Sequence, residues 1–263
     1  MTDFTRILYY APIMTDNSVS DLEELFPQSI KLLPENRYRA KVDAVVPFSA
    51  RASFEQLESC FLGISLENKN FTPEKLRALI EWISKRFLHC IVLVGDSIHR
   101  ITLEITRGLE PKIAFGKALD IGNSFIQENE HIFNAFCGQT KFNFETCHQI
   151  QASDEYNQLH QYLQNYFETN GKFRSSVESF GRKYNERRLI NCSRSELEYY
   201  ISRSCDYFLE EFAIFTCLQR RGFSVMVYPG SFSTLTEIAN GEYADIIEEL
   251  KQLIVVSIHF KGR

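Results

Sequence analysis

The sequence predicts an α/β protein of Rossmann type, one domain over residues 1–263 built on a central, mostly parallel sheet. Three observations carry that prediction. Short apolar runs, Phe61-Leu62-Gly63-Ile64 and Ile91-Val92-Leu93-Val94 among them, alternate with longer segments of helical periodicity. That is the pattern of buried strands covered by helices. Residues 60–96 read strand, polar turn, helix, strand, a crossover whose default hand is right. No repeat, low-complexity tract or linker-like run divides the 263 residues, and a chain of this length buries a large core without a staple.

The elements follow in order. Residues 1–40 read as irregular, with a short helix near 21–25, and 41–47 as a strand running into a turn. An apolar run then ends on Ser65 and turns through Glu67-Asn68-Lys69-Asn70. A buried strand delivering one hydroxyl to a polar turn exposes it at the carboxyl edge of a sheet, although a serine there also serves simply to end the strand or shape the turn. Thr72 is placed to cap the next helix and Pro73 suits its first position. Leu76, Leu79, Ile80, Ile83 and Phe87 recur at helical spacing before a second strand at 91–96.

Residues 97–107 read as a strand-to-helix passage, and 114–136 as a helix carried by Phe115, Ala118, Ile121, Phe125, Ile132 and Phe136. Ser153 opens a helix through Tyr166, with Asp154 and Glu155 where acids complement the helix dipole. Residues 178–184 read as helical, and 193–219 as one long or broken helix opened by Ser193 or Ser195. Arg220-Arg221-Gly222 closes it, the glycine suiting a left-handed C-cap. A strand at 223–228, a helix at 243–250 and a strand at 253–260 complete the chain.

Seven scattered cysteines, with no Cys-x-x-Cys pair and no adjoining histidines, argue against a zinc site and against a secreted disulfide framework. No stretch approaches the roughly 20 apolar residues of a membrane span, and the first residues open no apolar run of a signal peptide. The expectation is a soluble, cytoplasmic monomer with no metal and no membrane association. The net charge of −5 disfavours nucleic acid at first sight, but the charge is segregated. Residues 172–194 carry Lys172, Arg174, Arg182, Lys183, Arg187, Arg188 and Arg194 against Glu178 and Glu186; residues 31–51 carry Lys31, Arg37, Arg39, Lys41 and Arg51 against Glu35 and Asp43. Such segregation either presents a phosphate-facing surface or marks a solvated face.

Several chemistries have no signature. There is no Gly-x-Gly-x-x-Gly, no Walker A loop, and around Ser65 no Gly-x-Ser-x-Gly elbow. His99, His148 and His259 lack flanking sequence that would mark a triad base, and His89 reads as structural. A constellation remains. Tyr207 and Glu211 lie four apart and share a helix face. Glu211 sits among Phe208, Leu209, Phe212 and Ala213, where an ionised carboxylate needs a cationic partner, either a substrate ammonium or a nearby arginine. Tyr228 stands where a strand meets Pro229-Gly230, placed either for chemistry or to fix the turn.

In three motifs in order, Gly63-x-Ser65-x-x-Asn68, Tyr207-x-x-x-Glu211-x-Ala213 and Tyr228-Pro229, the chain resembles the tRNA-dependent cyclodipeptide synthases. The likeness spans about residues 61–229 and points to the subgroup with Tyr-Pro at the late motif. It implies the fold of class I aminoacyl-tRNA synthetase catalytic domains without activation by ATP; the His-Ile-Gly-His and Lys-Met-Ser-Lys-Ser signatures are absent here too. It further implies that two aminoacyl-tRNAs are joined into a diketopiperazine, with no cofactor. Ser65 is then the nucleophile carrying an aminoacyl and next a dipeptidyl group. Glu211 with Tyr207 grips the ammonium, and Tyr228 assists proton transfer or positioning during cyclisation.

Asn68 matches the asparagine of members that carry histidine after the late tyrosine, where this chain has Pro229. A pocket of Phe61, Gly63, Gly95, Ile214 and Met226 is expected to take an apolar first amino acid. Some members carry an arginine-rich middle helix; here residues 114–134 hold Lys117 against Asp120, Glu128 and Glu130. The tRNA therefore falls to Lys172, Arg174, Arg182, Lys183, Arg187 and Arg188, or to residues 31–51. Two other readings stay open: a serine acyl transferase or hydrolase independent of tRNA, and a non-catalytic tRNA-binding protein.

Overall fold

The computed structural model describes residues 32–185, 193–231 and 233–263. The helix expected at 21–25 and the side chains of Lys31, Arg187 and Arg188 lie outside the described residues, as does most of the N-terminal part of the expected single domain. Leu33–Arg263 forms one compact unit. Its strands are β1 (Tyr38–Val46), β2 (Ser59–Ile64), β3 (His89–Val94), β4 (Lys141–Thr146), β5 (Val225–Tyr228) and β6 (Ile254–Gly262). Its helices are α1 (Pro73–Ser84), α2 (Asp96–Arg107), α3 (Pro111–Asn134), α4 (Cys147–Gln151), α5 (Asp154–Thr169), α6 (Gly171–Asn185), α7 (Arg194–Arg220), α8 (Ser233–Ala239) and α9 (Glu248–Lys251).

The sheet runs β1-β6-β5-β2-β3-β4. Every pairing is parallel except β1 with β6, so the expected mostly parallel sheet gains an antiparallel edge. From β2 the chain winds outward through β3 and β4; it then returns to start again at β5 and β6 on the other side. The strand order therefore reverses between β2 and β5, and ligands of open α/β sheets bind outside the carboxyl ends of strands at that reversal.

Period-two alternation assigns the two faces. Phe61, Ile91, Leu93, Met226 and Val255 face the layer built from α5, α6 and α7. Cys60, Leu62, Ile64, Val92, Val94, Val225 and Val227 join the core that includes Leu76, Leu79, Ile80 and Ile83 of α1. In α7 every residue over 208–218 is buried, which makes it the central helix of its layer.

Local chemistry accounts for most boundaries. Ser153 accepts from the Tyr156 amide, and Ser193 forms a capping box with Glu196. Gly222 takes φ +89 just past the end of α7. Thr72 occupies the N-cap of α1, but its side chain makes no capping hydrogen bond. The expected passage at 97–107 is helical throughout. The helix expected at 178–184 starts at Gly171, because the Asn170 side chain accepts from the Phe173 amide directly after α5. The helix expected at 243–250 is reduced to α9. Edge strand β4, α4 and α8 were not expected; β4 is only partly buried along its length, so its apolar signal is weak.

Candidate active site

Ser65 directly follows β2 and Tyr228 ends β5, so the strand reversal brings both to one crevice. Their hydroxyl oxygens lie 2.9 Å apart. This is the one side-chain hydrogen bond of Ser65 among the described residues. The turn after Ser65 is built to hold still. The Asn68 side-chain Oδ1 accepts from the Asn70 backbone amide at 3.0 Å, and the Asn70 side chain donates to the Pro229 carbonyl at 2.8 Å, tying the serine turn to the tyrosine turn. A Cβ at position 230 would come within 2.7 Å of the Tyr228 ring, so Gly230 is what lets the ring lie against its own turn.

Glu67, two residues past the serine, takes φ +58, a left-handed conformation uncommon for a residue with a side chain. Its carboxylate is gripped by Arg107 at 2.5 and 2.6 Å and faces His99 Nε2 at 3.2 Å. Burial pushes the Glu67 carboxyl up, but the hydrogen bonds from Arg107 and His99 outweigh it and hold it below the usual range. His99 is buried, which pushes its imidazole down despite the opposing pull of Glu67.

Across the crevice stands α7. Tyr207 and Glu211, one turn apart, line the same cavity as Ser65 and Tyr228, a space of about 610 Å³. Glu211 is buried, its Oε2 has no hydrogen-bond partner, and burial alone pushes its carboxyl up to about 8. The arginine left open by the sequence goes to its neighbour. Arg100 donates to Glu210 at 2.5 and 2.9 Å, and Gln151 adds a bond at 2.9 Å. Among the described residues Glu211 has no ion pair.

A narrow recess opens beneath Ser65 and Glu211, walled by Gly63, Gly95, Met226, Leu93, Ile98 and Phe215. Three of the five expected pocket residues are thus in place. Phe61 and Ile214 are not in its walls. Both are fully buried in the core; the Phe61 ring packs against Phe215, centroids 5.4 Å apart, and backs the recess from behind. Asn68 lines the larger cavity.

The expected tRNA-facing residues of α6 divide. Lys172 pairs with Glu242 at 2.9 Å, and Arg174 donates to the carbonyls of Phe167 and Glu168. Arg182 and Lys183 are exposed on the last turn of the helix. Asn70, Glu67, His99 and Arg107 were missed in the sequence. Only the Glu-Asn-Lys-Asn run signalled a turn there, and its partners lie 32, 40 and 159 residues away.

Residues 45–244 match the family model described as cyclodipeptide synthase. Among solved structures, the chain is similar to a cyclodipeptide synthase from Fluoribacter dumoffii (TM-score 0.73, 22% identity, covering 86% of this chain and 100% of that one). It is similar also to a cyclodipeptide synthase from Candidatus Glomeribacter gigasporarum bound to Phe-tRNAPhe (TM-score 0.60, 17% identity, 84% and 94% covered). A third is a Mycobacterium tuberculosis protein (TM-score 0.60, 14% identity, 88% and 95% covered), whose structure is described as demonstrating that cyclodipeptide synthetases are related to type I tRNA synthetases. At these identities the likeness is one of fold. No curated protein matches the chain.

Proposed function

The chain belongs to the cyclodipeptide synthase family, and on that premise we propose that it joins two aminoacyl groups from aminoacyl-tRNAs into a cyclic dipeptide through esters formed on Ser65. The observation that carries this reading is the 2.9 Å contact of Ser65 with Tyr228 at the strand reversal, in one cavity with the unpartnered carboxyl oxygen of Glu211.

In the first step Ser65 Oγ attacks the ester carbonyl of an aminoacyl-tRNA. The bond to the ribose oxygen breaks, and the serine proton passes to that oxygen, with the Tyr228 hydroxyl within reach to relay it. An aminoacyl ester is already a reactive acyl donor, so no Ser-His pair is called for.

The second step needs a free amine on the bound residue. An α-amino group titrates near ~7.7–8.0, and Glu211 is pushed to about 8. That value belongs to the cavity without a cation; an ammonium docked beside Glu211 favours the carboxylate, which grips it and serves as the base for its proton as the amine attacks. The amine then attacks the second aminoacyl ester, forming the peptide bond and releasing the second tRNA. Finally the new terminal amine attacks the Ser65 ester carbonyl. The ring closes, and Ser65 Oγ recovers a proton. The walls of the recess under Ser65 are apolar, which suits an apolar first residue, but its space is only about 10 Å³, so a side chain enters only as those walls give way; fit of that kind discriminates by only about 1–3 kcal/mol per methylene, so mixed products are expected.

Mass spectrometry of the intact protein after incubation with aminoacyl-tRNA tests the reading. The parent should gain one aminoacyl mass and release cyclic dipeptide; Ser65→Ala should do neither, losing at least about a thousandfold in product. Product from Ser65→Ala at the parent rate would sink the covalent route. Ester turnover that survives ribonuclease would favour a tRNA-independent acyl transferase instead.

A further inference from the structure

The sheet ends in two edges of different kinds. β1 carries an irregularity in register between Val42 and Ala44, a device that bends an edge strand away from further pairing. β4, the other edge, runs in unbroken register against β3 from Lys141 to Thr146. The Lys141 amide donates to the Leu88 carbonyl. Backbone groups alternate sides along a strand, so Asn143 and Glu145 also bond toward β3. The N–H and C=O groups of Phe142 and Phe144 therefore point outward, and among the described residues nothing pairs with them. Thr146 comes next in that outward series, and its amide is taken by Gln149 Oε1 at 2.9 Å.

A bare strand edge is a template for another strand. Here the side chains select which one. Lys141-Phe142-Asn143-Phe144-Glu145 is its own complement when reversed about Asn143. A second copy laid antiparallel on that centre sets Phe142 opposite the partner's Phe144, and these outward-facing residues form the hydrogen-bonded pairs. Lys141 falls opposite the partner's Glu145 in a non-hydrogen-bonded pair, where side chains come closest. Lys141 is exposed and has no ion pair among the described residues. Glu145 gives Oε2 to Arg221 at 3.0 Å, and among the described residues its Oε1 is left over. Sliding either copy by two residues puts Lys141 or Glu145 opposite Asn143 and loses both charge pairs. On the other face Phe142 and Phe144 stand edge-on to Phe133, centroids 5.5 and 4.8 Å apart, so the pairing continues an aromatic layer.

We propose that β4 is a self-association edge, and that two copies join β4 to β4 about Asn143 into one continuous two-fold sheet. The proposal stands apart from the chemistry of Ser65. The parallel strands of the two copies run in opposite directions, so their crevices open at opposite ends and neither blocks the other. One strand and its flanks make an interface below about 1,200 Å², the class of transient complexes. A weak dimer is expected in place of the monomer expected from sequence.

The test is disulfide cross-linking of the full-length protein in a Cys137→Ser background, which removes the exposed thiol. The two copies of residue 143 face each other at about 4.5 Å between Cα atoms, within disulfide reach. The two copies of residue 141 lie roughly 13 Å apart. With oxidised glutathione, and protein in the hundred-micromolar range, Asn143→Cys should become mostly covalent dimer while Lys141→Cys stays monomeric. Equal cross-linking of the two, or none at 143, overturns the proposal. Sedimentation equilibrium reads the register independently. Lys141→Glu and Glu145→Lys should each self-associate at least about tenfold more weakly than the parent; mixed together, they restore every charge pair and should form a dimer. A parent that stays monomeric, or a mixture with no more dimer than its components, overturns the proposal as well. Should either charge variant fail to fold, the cysteine pair decides alone.

Discussion

Glu210 and Glu211 are chain neighbours on one buried helix, at 6% and 9% exposure, and their environments are opposite. Successive residues on a helix point about 100° apart. That rotation sends Glu210 to the seam with α2 and α4, where Arg100 and Gln151 satisfy both its oxygens. It sends Glu211 to the cavity, where Oε2 has no partner and the carboxyl rises to about 8. Burial is nearly equal; what differs is whether the fold supplies a cation. Glu210 serves the architecture; Glu211 has no cation among the described residues, which is what the proposed grip on a substrate ammonium requires.

The sharpest way to break this comparison is Glu210→Ala. It strands a mostly buried guanidinium, a loss that typically costs about 3–5 kcal/mol and should lower the melting temperature by on the order of 10 °C in a chain of this size. Calorimetry reads it directly. A variant melting within about 2 °C of the parent would mean the Arg100–Glu210 pair is dispensable, and the contrast with Glu211 would lose its basis.

Glu211→Gln should behave in the opposite sense. Product formation should fall about a hundredfold, the lower range for loss of a general base. Stability should rise with a pH signature. The carboxyl is ordinarily near 4.5 but about 8 in the folded protein, so between those values the folded chain holds a proton that the unfolded chain releases. Parental stability therefore falls as pH rises through that window, by up to about 1.4 kcal/mol per pH unit. The amide removes the slope. Melting curves of parent and variant should lie close at about pH 5 and separate in the variant's favour toward about pH 8. A constant gap across that range would mean the empty site already pairs Glu211.

How much of this was legible from sequence follows the range of the interactions. Ser65, Tyr207, Glu211 and Tyr228 could be read because each sits at a strand end or on a helix face whose periodicity is local. The crossover of β2, α1 and β3 was legible for the same reason. The strand order was not: nothing near Val225 announces that β5 lies beside β2 rather than beyond β4. Nor could one tell which glutamate would take the arginine, since Arg100 is 110 residues from Glu210. Phe61 and Ile214 were assigned to the pocket by chain position, whereas packing put Phe215 in front of Phe61. Strand β4 escaped notice because an edge strand needs apolar residues on little more than one side.

Gln151→Ala sharpens the same contrast on a smaller scale. It removes a neutral donor to the Glu210 carboxylate and the Tyr156 hydroxyl, together with the acceptor of the Ser97 hydroxyl, and leaves the guanidinium in place. The expected cost is about 1.5–3 kcal/mol, the range for a hydrogen bond to a charged group, with no change in the pH slope assigned to Glu211. Urea titrations at two pH values separate the two effects. A changed slope would mean that the two carboxylates share one network.

The smallest effect concerns an ion pair in a wetter setting. Arg107 and Glu67 are 38% and 41% exposed, so their pair should contribute only about 0.2–1 kcal/mol to stability, and Arg107→Ala should barely move the melting temperature. Its consequence lies in the turn. Glu67 is held at φ +58 two residues from Ser65, a conformation that costs a residue with a side chain about 1–3 kcal/mol and persists when its surroundings enforce it. Without Arg107 the turn relaxes and acylation of Ser65 slows several-fold. Adding Glu67→Gly should restore part of that rate, because glycine takes a positive φ without strain. Rescue by glycine separates a positioning role from a charge role: if acylation stays slow in the double variant, Arg107 acts on the incoming substrate instead of on the turn.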